Sequence, residues 1–435
     1  MTPLTPERAR QVFLLLGVTR WFPVGLIVAV TTLLPLERGL SVTQALTSVS
    51  AIGIAVFLLE LPTGGLADAI GRRPVLIAAG VMQVVAVALV CTAQTFWAFF
   101  VASLATGVFR ALDSGPLEAW YVDTVHATSP GADVDRTLSQ QGAVLGIAMA
   151  SGAVVSGGLV LWHPVQAWSA ITFPFVVYLG LAVVHLAVTI ALVREAPRSP
   201  DGATGVGPTE TAARPRHSDR LRIAVVSARQ APAIIRDGLL LARRSRVLRG
   251  LLWVEVFWSV GMVTFETFQP IRLAELLGSE ESAAAVMGPV AAGGWGVFAL
   301  GSWLVGLVSA RIGLTRAAML ARLLNGLGAV WMGLVGGPVA LIVAYLVTYS
   351  LHGAGGPVYR ALLHRETDAR TRSTVLSMSS MTAFAAFAVA TPLLGLCADL
   401  ISTPVAMVIA GAVSTIGVLF YLPALRKERS LVAVL

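Results

Sequence analysis

Twelve long apolar segments constrain this chain more than any other feature of its sequence. Each has about the 20 mostly apolar residues that an α-helix needs to cross the hydrocarbon core of a bilayer. Helices satisfy their own backbone groups in lipid, and these unbroken runs lack the alternation of barrel strands. We therefore predict an all-α membrane protein with twelve transmembrane helices. The predicted spans are residues 11–34, 43–67, 74–94, 96–124, 139–162, 166–193, 248–275, 284–310, 316–335, 338–363, 374–397 and 403–424.

The composition agrees with lipid as the main solvent. Of the 435 residues, 56% are hydrophobic and only 12% are charged, whereas an ordinary soluble protein carries about 25% charged residues. The net charge of +8 could suit nucleic acid, but most basic residues fall in short gaps between apolar segments. The composition therefore predicts a membrane protein with no nucleic-acid partner.

Basic residues in the connections predict the orientation of the spans. If the N-terminus lies in the cytoplasm, only Arg38 and Arg272 fall in outer connections, and all other Lys and Arg residues between spans fall in inner ones. Cytoplasmic loops carry an excess of Lys and Arg. The pattern predicts a multi-pass protein of the cytoplasmic membrane with both termini in the cytoplasm.

One long connection divides the chain. Residues 194–247 begin with a Pro/Gly/Ser-rich stretch typical of a flexible linker. From Ser218 to Arg246, arginines are interspersed with apolar residues, which predicts a basic amphipathic helix on the membrane surface. We predict an N-terminal six-helix bundle at 1–193, this cytoplasmic linker at 194–247 and a C-terminal six-helix bundle at 248–435. The linker either binds a partner or only joins the bundles.

Two short segments recur at nearly one spacing. Residues 64–71 match residues 306–313 at an offset of 242, and residues 114–116 match residues 355–357 at an offset of 241. Both matches fall at equivalent positions in spans 2 and 8 and in spans 4 and 10. The repeat predicts two pseudo-symmetric halves with a binding site between them near the bilayer midplane.

The first of these segments, Gly64 to Pro74, resembles the signature of the major facilitator superfamily between helices 2 and 3. Ala69 stands where that family usually has Arg or Lys. The resemblance implies the major facilitator fold, with alternating access and a latch that holds the outward-open state. In this latch Asp68 would face a helix of the other half, and Arg73 would bridge to an acid in span 4. The implied latch residues are Gly64, Asp68, Gly71, Arg72, Arg73 and Asp123.

A second resemblance is to bacterial drug:proton antiporters of the multidrug efflux type. These transporters often carry an Arg in helix 4, where this chain has Arg110, and residues 60–64 and 372–378 also look like theirs. Span 5 departs from their pattern, because its Gly157-Gly158 pair lacks the preceding Pro. The resemblance implies that helices 1, 4, 7 and 10 line a central cavity.

Seven charged residues lie well inside predicted spans 1, 2, 4 and 7, where each costs roughly 2.5–3.5 kcal/mol at the bilayer centre. They must therefore pair with one another or face a water-filled cavity. The seven are Arg20, Glu60, Arg110, Asp113, Glu118, Glu255 and Glu266. Six of them belong to spans 1, 4 or 7, and Glu60 belongs to span 2.

Spacing suggests roles for some of these charges. Arg110 and Asp113 are three residues apart and so share a helix face; with Glu118, they form either a proton-coupling unit or a static ion pair. Glu255 and Glu266 share one face of span 7. This second pair either recognises a cation or forms a second proton site. Alternatively, it is a partner for Arg20 or forms a gate.

Aromatic residues of span 7 predict an adaptable apolar cavity wall, although packing against lipid explains such residues equally well. His352 lies near the repeat equivalent of Arg110 in span 10, where it is either structural or part of a relay. The predicted cavity residues are Arg20, Glu255, Glu266, Trp258, Phe265 and His352.

The chain contains no Walker-type loop, metal-ligand spacing or nucleophile elbow. We therefore predict a monomeric secondary transporter, not an enzyme, with no cofactor, no metal and no catalytic residues. Its partners are small-molecule substrates, protons and the lipid bilayer. The prediction is proton-coupled efflux of amphipathic molecules, with a proton-coupled importer of a small metabolite, or a non-transporting sensor or scaffold, as the alternatives.

Overall fold

The computed structural model describes residues 4–195, 236, 240–368 and 371–432. In these residues every regular element is helical, and twelve helices are long and apolar enough to cross a membrane, which confirms the predicted fold class. Most of the predicted linker and its amphipathic helix lies outside the described residues. The helices are α1 (Pro6–Val28), α2 (Val42–Ile70), α3 (Arg72–Thr92), α4 (Phe96–Thr128), α5 (Asp135–Trp162), α6 (Thr172–Leu192), α7 (Arg246–Leu277), α8 (Glu280–Ile312), α9 (Leu314–Leu334), α10 (Pro338–Arg365), α11 (Arg372–Leu400) and α12 (Thr403–Ser430).

Helix packing repeats from one half of the chain to the other. In the N-terminal half, α1 packs on α5 and α6, α2 packs on α4, and α3 packs on α4 and α6. In the C-terminal half, α7 packs on α11 and α12, α8 packs on α10, and α9 packs on α10 and α12. Adding six to each number of the first set gives the second set, so the halves share one architecture.

The first sequence match recurs in local geometry. Gly71 and Gly313 each separate two helices, with φ of +105° and +90°. A glutamate from further along the chain caps the helix that follows each glycine: Glu195 accepts from the Arg73 amide at 3.0 Å, and Glu428 accepts from the Thr315 amide at 3.4 Å. Only glycine adopts this backbone region readily, which explains its presence at both positions.

The second match does not recur in local geometry. Helix α4 breaks into the segments Phe96–Asp113 and Pro116–Thr128, because Gly115 takes a φ of +91°. The equivalent stretch of α10 runs through Pro357 without a break. Near the break in α4, the hydroxyl of Thr63 donates to the carbonyl of Ala111 at 2.9 Å.

Helix α7 is also irregular. It begins as an α-helix at Arg246–Val263, continues as a π-helical turn at Thr264–Phe268, and ends as an α-helix at Gln269–Leu277. Such turns are rare in proteins overall, but those that occur are often found at functional sites. The π-helical turn contains Glu266, one of the predicted intramembrane carboxylates.

Two seams join the halves, one between α2 and α11 and the other between α5 and α8. Small residues allow close approach at both. A Cβ atom on Gly288 would lie 2.8 Å from the Cα of Gly157, and one on Gly53 would lie 2.9 Å from the carbonyl oxygen of Phe384. Glycines therefore set the spacing between the halves.

The apolar core is shared at only one end of the bundle. We name the face at Gly71 and Gly313 the arginine face, after the arginines beside them, and the face at Ser41 and Ser279 the opposite face. Toward the opposite face, a single buried cluster combines side chains of both halves, among them Phe175 and Phe268. Toward the arginine face, each half has its own cluster.

Candidate functional site

The first buried ion pair lies within the N-terminal half. Arg20 of α1 binds Asp113, which ends the first segment of α4, and their side chains are 15% and 4% exposed. The guanidinium carbon of Arg20 also lies 4.2 Å from the ring centre of Trp21. The predicted pairing of Asp113 with Arg110 is therefore wrong, because the α4 break places Asp113 at a helix end beside α1.

Arg110 has different neighbours. Its side chain is exposed, and its guanidinium carbon lies 5.5 Å from the ring centre of Phe384 on α11 in the other half. Glu60 and Glu266 interact with Arg110 favourably, and Arg20 repels it. Arg110 therefore faces the other half at Phe384, and the charges of carboxylates from both halves act on it.

Each of these two carboxylates has a hydroxyl partner. Glu60 of α2 accepts a hydrogen bond from Ser380 of α11 at 3.0 Å, which joins the halves. Glu266 interacts with the hydroxyl of Tyr349 on α10. We name five residues the central charge cluster: Arg20, Glu60, Arg110, Asp113 and Glu266. With all five ionised, this cluster holds two positive and three negative charges.

A second buried ion pair lies within the C-terminal half. Arg322 of α9 is 4.0 Å from Glu255 of α7, with side chains 6% and 8% exposed. The alternative in which Glu255 is a partner for Arg20 is therefore wrong, since each residue finds a partner in its own half. Sequence reasoning did not select Arg322 as a site residue, although the rule that intramembrane charges need partners applies to it equally.

Four aromatic side chains surround His352 of α10. The imidazole stacks on Trp258 with ring centres 5.4 Å apart, and it lies 5.0 Å from Phe265, 5.3 Å from Phe298 and 5.4 Å from Tyr349. We name these five residues, His352 and the four aromatic residues around it, the aromatic box. The structure thus brings the predicted residues Trp258, Phe265 and His352 together.

The aromatic box contains polar atoms without partners. In the described part of the chain, Nε1 of Trp258 and Nδ1 of His352 are buried and make no hydrogen bond. Beside the box, the guanidinium carbon of Arg322 lies 4.6 Å from the ring centre of Trp258. Buried polar groups without partners call for an explanation, and a bound ligand could supply the missing acceptor and donor.

Other aromatic residues of α7 do not face this region. Trp253 and Phe257 stack on Phe420 of α12, with ring centres 5.9 and 5.2 Å apart, and Trp253 is 47% exposed. Phe268 belongs to the shared apolar cluster. Of the aromatic residues of α7, only Trp258 and Phe265 pack around His352, and a cavity wall there stays a prediction.

The predicted latch contacts differ from those in the structure. Asp123 lies 3.4 Å from Nε of Arg72, not beside Arg73. Arg73 instead donates to the carbonyls of Val193 at 2.8 Å and Ile190 at 3.0 Å, because adjacent helix positions point about 100° apart. The predicted bridge between Arg73 and Asp123 is therefore wrong.

Three further predicted residues lie outside these contacts. Glu118 is exposed on the second segment of α4 and repels the carboxylate of Asp113 through space. The side-chain surroundings of Gly64 and Asp68 lie outside the described residues.

Among the described residues, no group of three His, Cys, Asp or Glu side chains could hold a metal ion.

A family model described as Major Facilitator Superfamily matches residues 12–356. A crystal structure of a mutant of the nucleoside transporter NupG has a TM-score of 0.75 and 12% identity, and the match covers 95% of this chain and 99% of that one.

A second similar structure is a POT family transporter in complex with 5-aminolevulinic acid. It has a TM-score of 0.69 and 14% identity, and the match covers 95% of each chain. No curated protein matches this sequence. At these identities the structural similarities establish the fold alone.

Proposed function

The chain belongs to the Major Facilitator Superfamily and is a membrane transporter, and from this premise we propose that it exports amphipathic organic cations in exchange for protons. The observation that carries this proposal is the central charge cluster. Its five ionised groups leave one negative charge in excess, and its members come from α1, α2, α4 and α7, so it spans both halves.

An excess carboxylate in the middle of a membrane protein favours the binding of one positive charge. A proton or a monovalent organic cation can neutralise the cluster, but binding both would leave it positive. Because an uncompensated charge in this environment costs several kcal/mol, the two cations compete. Competition for one site is the simplest basis for antiport.

The two carboxylates beside Arg110 are the groups for which the cations would compete. Glu60 bonds to Ser380 of the other half, and Glu266 interacts with Arg110 across the same space. Protonation of either acid weakens its attraction to Arg110. The proton thereby changes an interaction between the halves, which is the requirement for coupling to their movement.

The Arg20–Asp113 pair supports this arrangement without being its variable part. It is buried and already neutral overall. It lies next to the break in α4, and helix breaks near the midplane are typical of transporter binding sites. We propose that the pair positions the first segment of α4 and therefore Arg110.

The aromatic box suits the apolar part of the substrate. Rings of Trp258, Phe265 and Phe298 surround His352, and aromatic faces also attract organic cations, by about 0.5–2 kcal/mol. The substrate would place its charge at Glu266 and its apolar rings against the box. Glu266 and Phe265 are neighbours in the π-helical turn, which brings both functions to one point.

The described conformation supports alternating access. The shared apolar cluster closes the halves together toward the opposite face, while each half has its own cluster toward the arginine face. The positive-inside rule would place the arginine face in the cytoplasm. We propose that this is the inward-facing state, from which a cytoplasmic substrate is loaded.

Purified protein in proteoliposomes tests the proposal, with tetraphenylphosphonium as the cation. An imposed proton gradient should drive uptake into vesicles whose lumen is acidic, and Glu266→Gln should abolish that coupling. Glu7→Gln, at an exposed position in the first turn of α1, is the control. Cation transport unaffected by the gradient, or equal coupling in Glu266→Gln, would contradict the proposal.

A second candidate is import of an uncharged planar molecule such as a nucleoside. The unpartnered Nε1 of Trp258 and Nδ1 of His352 could bond to ring substituents, and one structurally similar protein is a nucleoside transporter. Uridine uptake by the same proteoliposomes, with no competition by tetraphenylphosphonium, would favour this candidate over the first.

A further inference from the structure

A long apolar groove lies beside the seam between α2 and α11, and neither predicted site uses it. Its volume is about 740 Å³, within the range of about 300–1,000 Å³ that holds a drug-sized ligand. Helix α11 forms most of the groove, with side chains recurring every three or four residues from Met378 to Leu394. At about 1.5 Å per residue this stripe is about 24 Å long.

The groove has a buried floor and an exposed rim. Met378, Met381 and Leu394 are buried, whereas Val389 and Leu393 on the same helix are more than 60% exposed. Thr382 is the single polar side chain in the lining. Such a surface offers water almost no hydrogen-bonding partners, so its natural occupant is a hydrocarbon.

The position of the groove indicates where that hydrocarbon comes from. Its lining belongs to the membrane-spanning helices α2, α7, α11 and α12, and its stripe is longer than the roughly 15 Å depth of one leaflet's hydrocarbon. The floor contains two flexible methionine side chains, which adapt to irregular apolar shapes. We propose that the groove binds one acyl chain of a membrane phospholipid.

The groove also crosses the boundary between the halves. Phe57 belongs to α2, and the other lining residues belong to the C-terminal half. On the opposite side of α11, Phe384 contacts α2 at Gly53, and one turn away Ser380 bonds to Glu60. An acyl chain in the groove contacts both halves at their seam, so it stabilises the described arrangement and slows its separation.

Photolabelling of the whole protein tests this binding site. The protein is reconstituted in nanodiscs that contain a trace of phosphatidylcholine with a diazirine on its acyl chain, and labelled peptides are identified by mass spectrometry. We expect the peptide covering residues 378–394 to be labelled at least fivefold more strongly than other lipid-exposed helices. Labelling in simple proportion to exposed area would overturn the proposal.

A matched pair of substitutions separates groove binding from general lipid contact. Ala386→Phe places a ring inside the groove, and Ala299→Phe places the same ring at an exposed position on α8. The first should reduce labelling of 378–394 at least fivefold, and the second should leave it unchanged. Val413→Phe, on the α12 wall, gives an independent filling variant if Ala386→Phe does not fold.

A different occupant would be visible in the same experiment. If tetraphenylphosphonium displaces the label at concentrations that saturate transport, the groove is a substrate path and the lipid proposal is wrong. If no addition other than unlabelled phospholipid competes, the acyl chain is the occupant. The labelling measures lipid binding and does not require transport. The acyl-chain proposal can therefore be confirmed or contradicted even if the proposed antiport is wrong.

Discussion

The carboxylate of Asp399, near the end of α11, accepts a hydrogen bond from the backbone amide of Thr43, in the first turn of α2, at 2.9 Å. The amide of Val42 donates to the same carboxylate at 3.2 Å. A carboxylate at a helix N-terminus satisfies amides that have no partner within the helix, and it also interacts favourably with the helix dipole. One half of the protein therefore caps a helix of the other half on the opposite face.

Removal of this cap should open the opposite face more often. Asp399→Ala loses an interaction of about 1 kcal/mol, which changes the ratio of closed to open states roughly fivefold. Spin labels at Gln166→Cys and Gly336→Cys, in loops of the two halves on this face, measure the change as a larger population at long distance.

The control for this prediction removes a similar interaction inside one half. Asp133 accepts from the amide of Asp135 at 2.9 Å, at the start of α5. Asp133→Ala should leave the distance distribution unchanged. An equal shift in both variants, or none in Asp399→Ala, would show that the cap does not hold the halves together.

The buried pair of Arg20 and Asp113 should be costly to break from one side. Arg20→Met leaves the Asp113 carboxylate buried without its cation, and such losses cost about 3–5 kcal/mol. Adding Asp113→Asn removes the uncompensated charge and should recover most of the stability. Thermal unfolding of the single and double variants measures both effects.

The pair of Arg272 and Glu275 provides the comparison for Arg20. Its atoms are 2.8 Å apart within one helix, and its carboxylate is 38% exposed, whereas that of Asp113 is 4% exposed; pairs with a solvated partner contribute about 0–1 kcal/mol. Arg272→Met should therefore lower the melting temperature far less than Arg20→Met. Equal effects would mean that the Arg20 pair is well solvated.

The sequence was sufficient to predict the spans because span length and hydropathy are local properties. It was also sufficient for the repeat at Gly71 and Gly313, because a backbone with positive φ demands glycine in both halves. The twelve spans agree with the predicted number, and boundaries differ mainly where helices continue into the polar edges.

Ion partners could not be read from the sequence in the same way. Arg110 and Asp113 are close along α4, yet Asp113 binds Arg20 of α1, and Arg110 faces Phe384 of the other half. Partner choice depends on how helices dock and on the break at Gly115. The π-helical turn around Glu266 also has no signature in the sequence that would predict it.

The aromatic box separates two tryptophans of α7 that look alike in the sequence. Trp258 stacks on His352 and leaves its Nε1 without a partner, whereas Trp253 stacks on Phe420 of α12 and is exposed. Trp258→Phe should raise the KM for tetraphenylphosphonium roughly tenfold, since it replaces the indole ring, the best aromatic surface for a cation, with a smaller ring. Trp253→Phe should leave the KM unchanged, and equal values for both variants would place the site elsewhere.

Two glycine substitutions should have opposite effects on stability. Gly71→Ala forces a side chain into a φ of +105° and brings its Cβ within 2.5 Å of the Glu195 carboxylate, so we expect a loss of about 1–3 kcal/mol. Gly158→Ala lies within helix α5 with nothing within 4 Å, so it should gain about 0.5–1 kcal/mol. Thermal unfolding of both variants checks the signs, and a neutral Gly71→Ala would contradict the described loop.

Glu37 ends a short helix, Leu33–Glu37, between α1 and α2. Burial raises the pKa of this carboxyl above its ordinary value of 4.5, although a hydrogen bond from Ser169 and the charge of Arg38 oppose the shift. A pKa raised by folding means that the protonated form stabilises the fold. This stabilisation is complete below the unfolded pKa and is lost as the pH rises through the folded pKa.

Glu37→Gln should therefore be more stable than the unmodified protein at pH 7.5, because the amide keeps an acceptor for Ser169 without a charge to desolvate. The difference in melting temperature should shrink as the pH falls toward 4.5, where the carboxyl of the unmodified protein binds its proton. Melting curves of both proteins between pH 4.5 and 8 measure this difference. Other titrating groups shift both melting temperatures equally, so their effects cancel in the difference. A difference that is independent of pH, or a less stable variant at pH 7.5, would show that the ionised carboxylate is the better tolerated form.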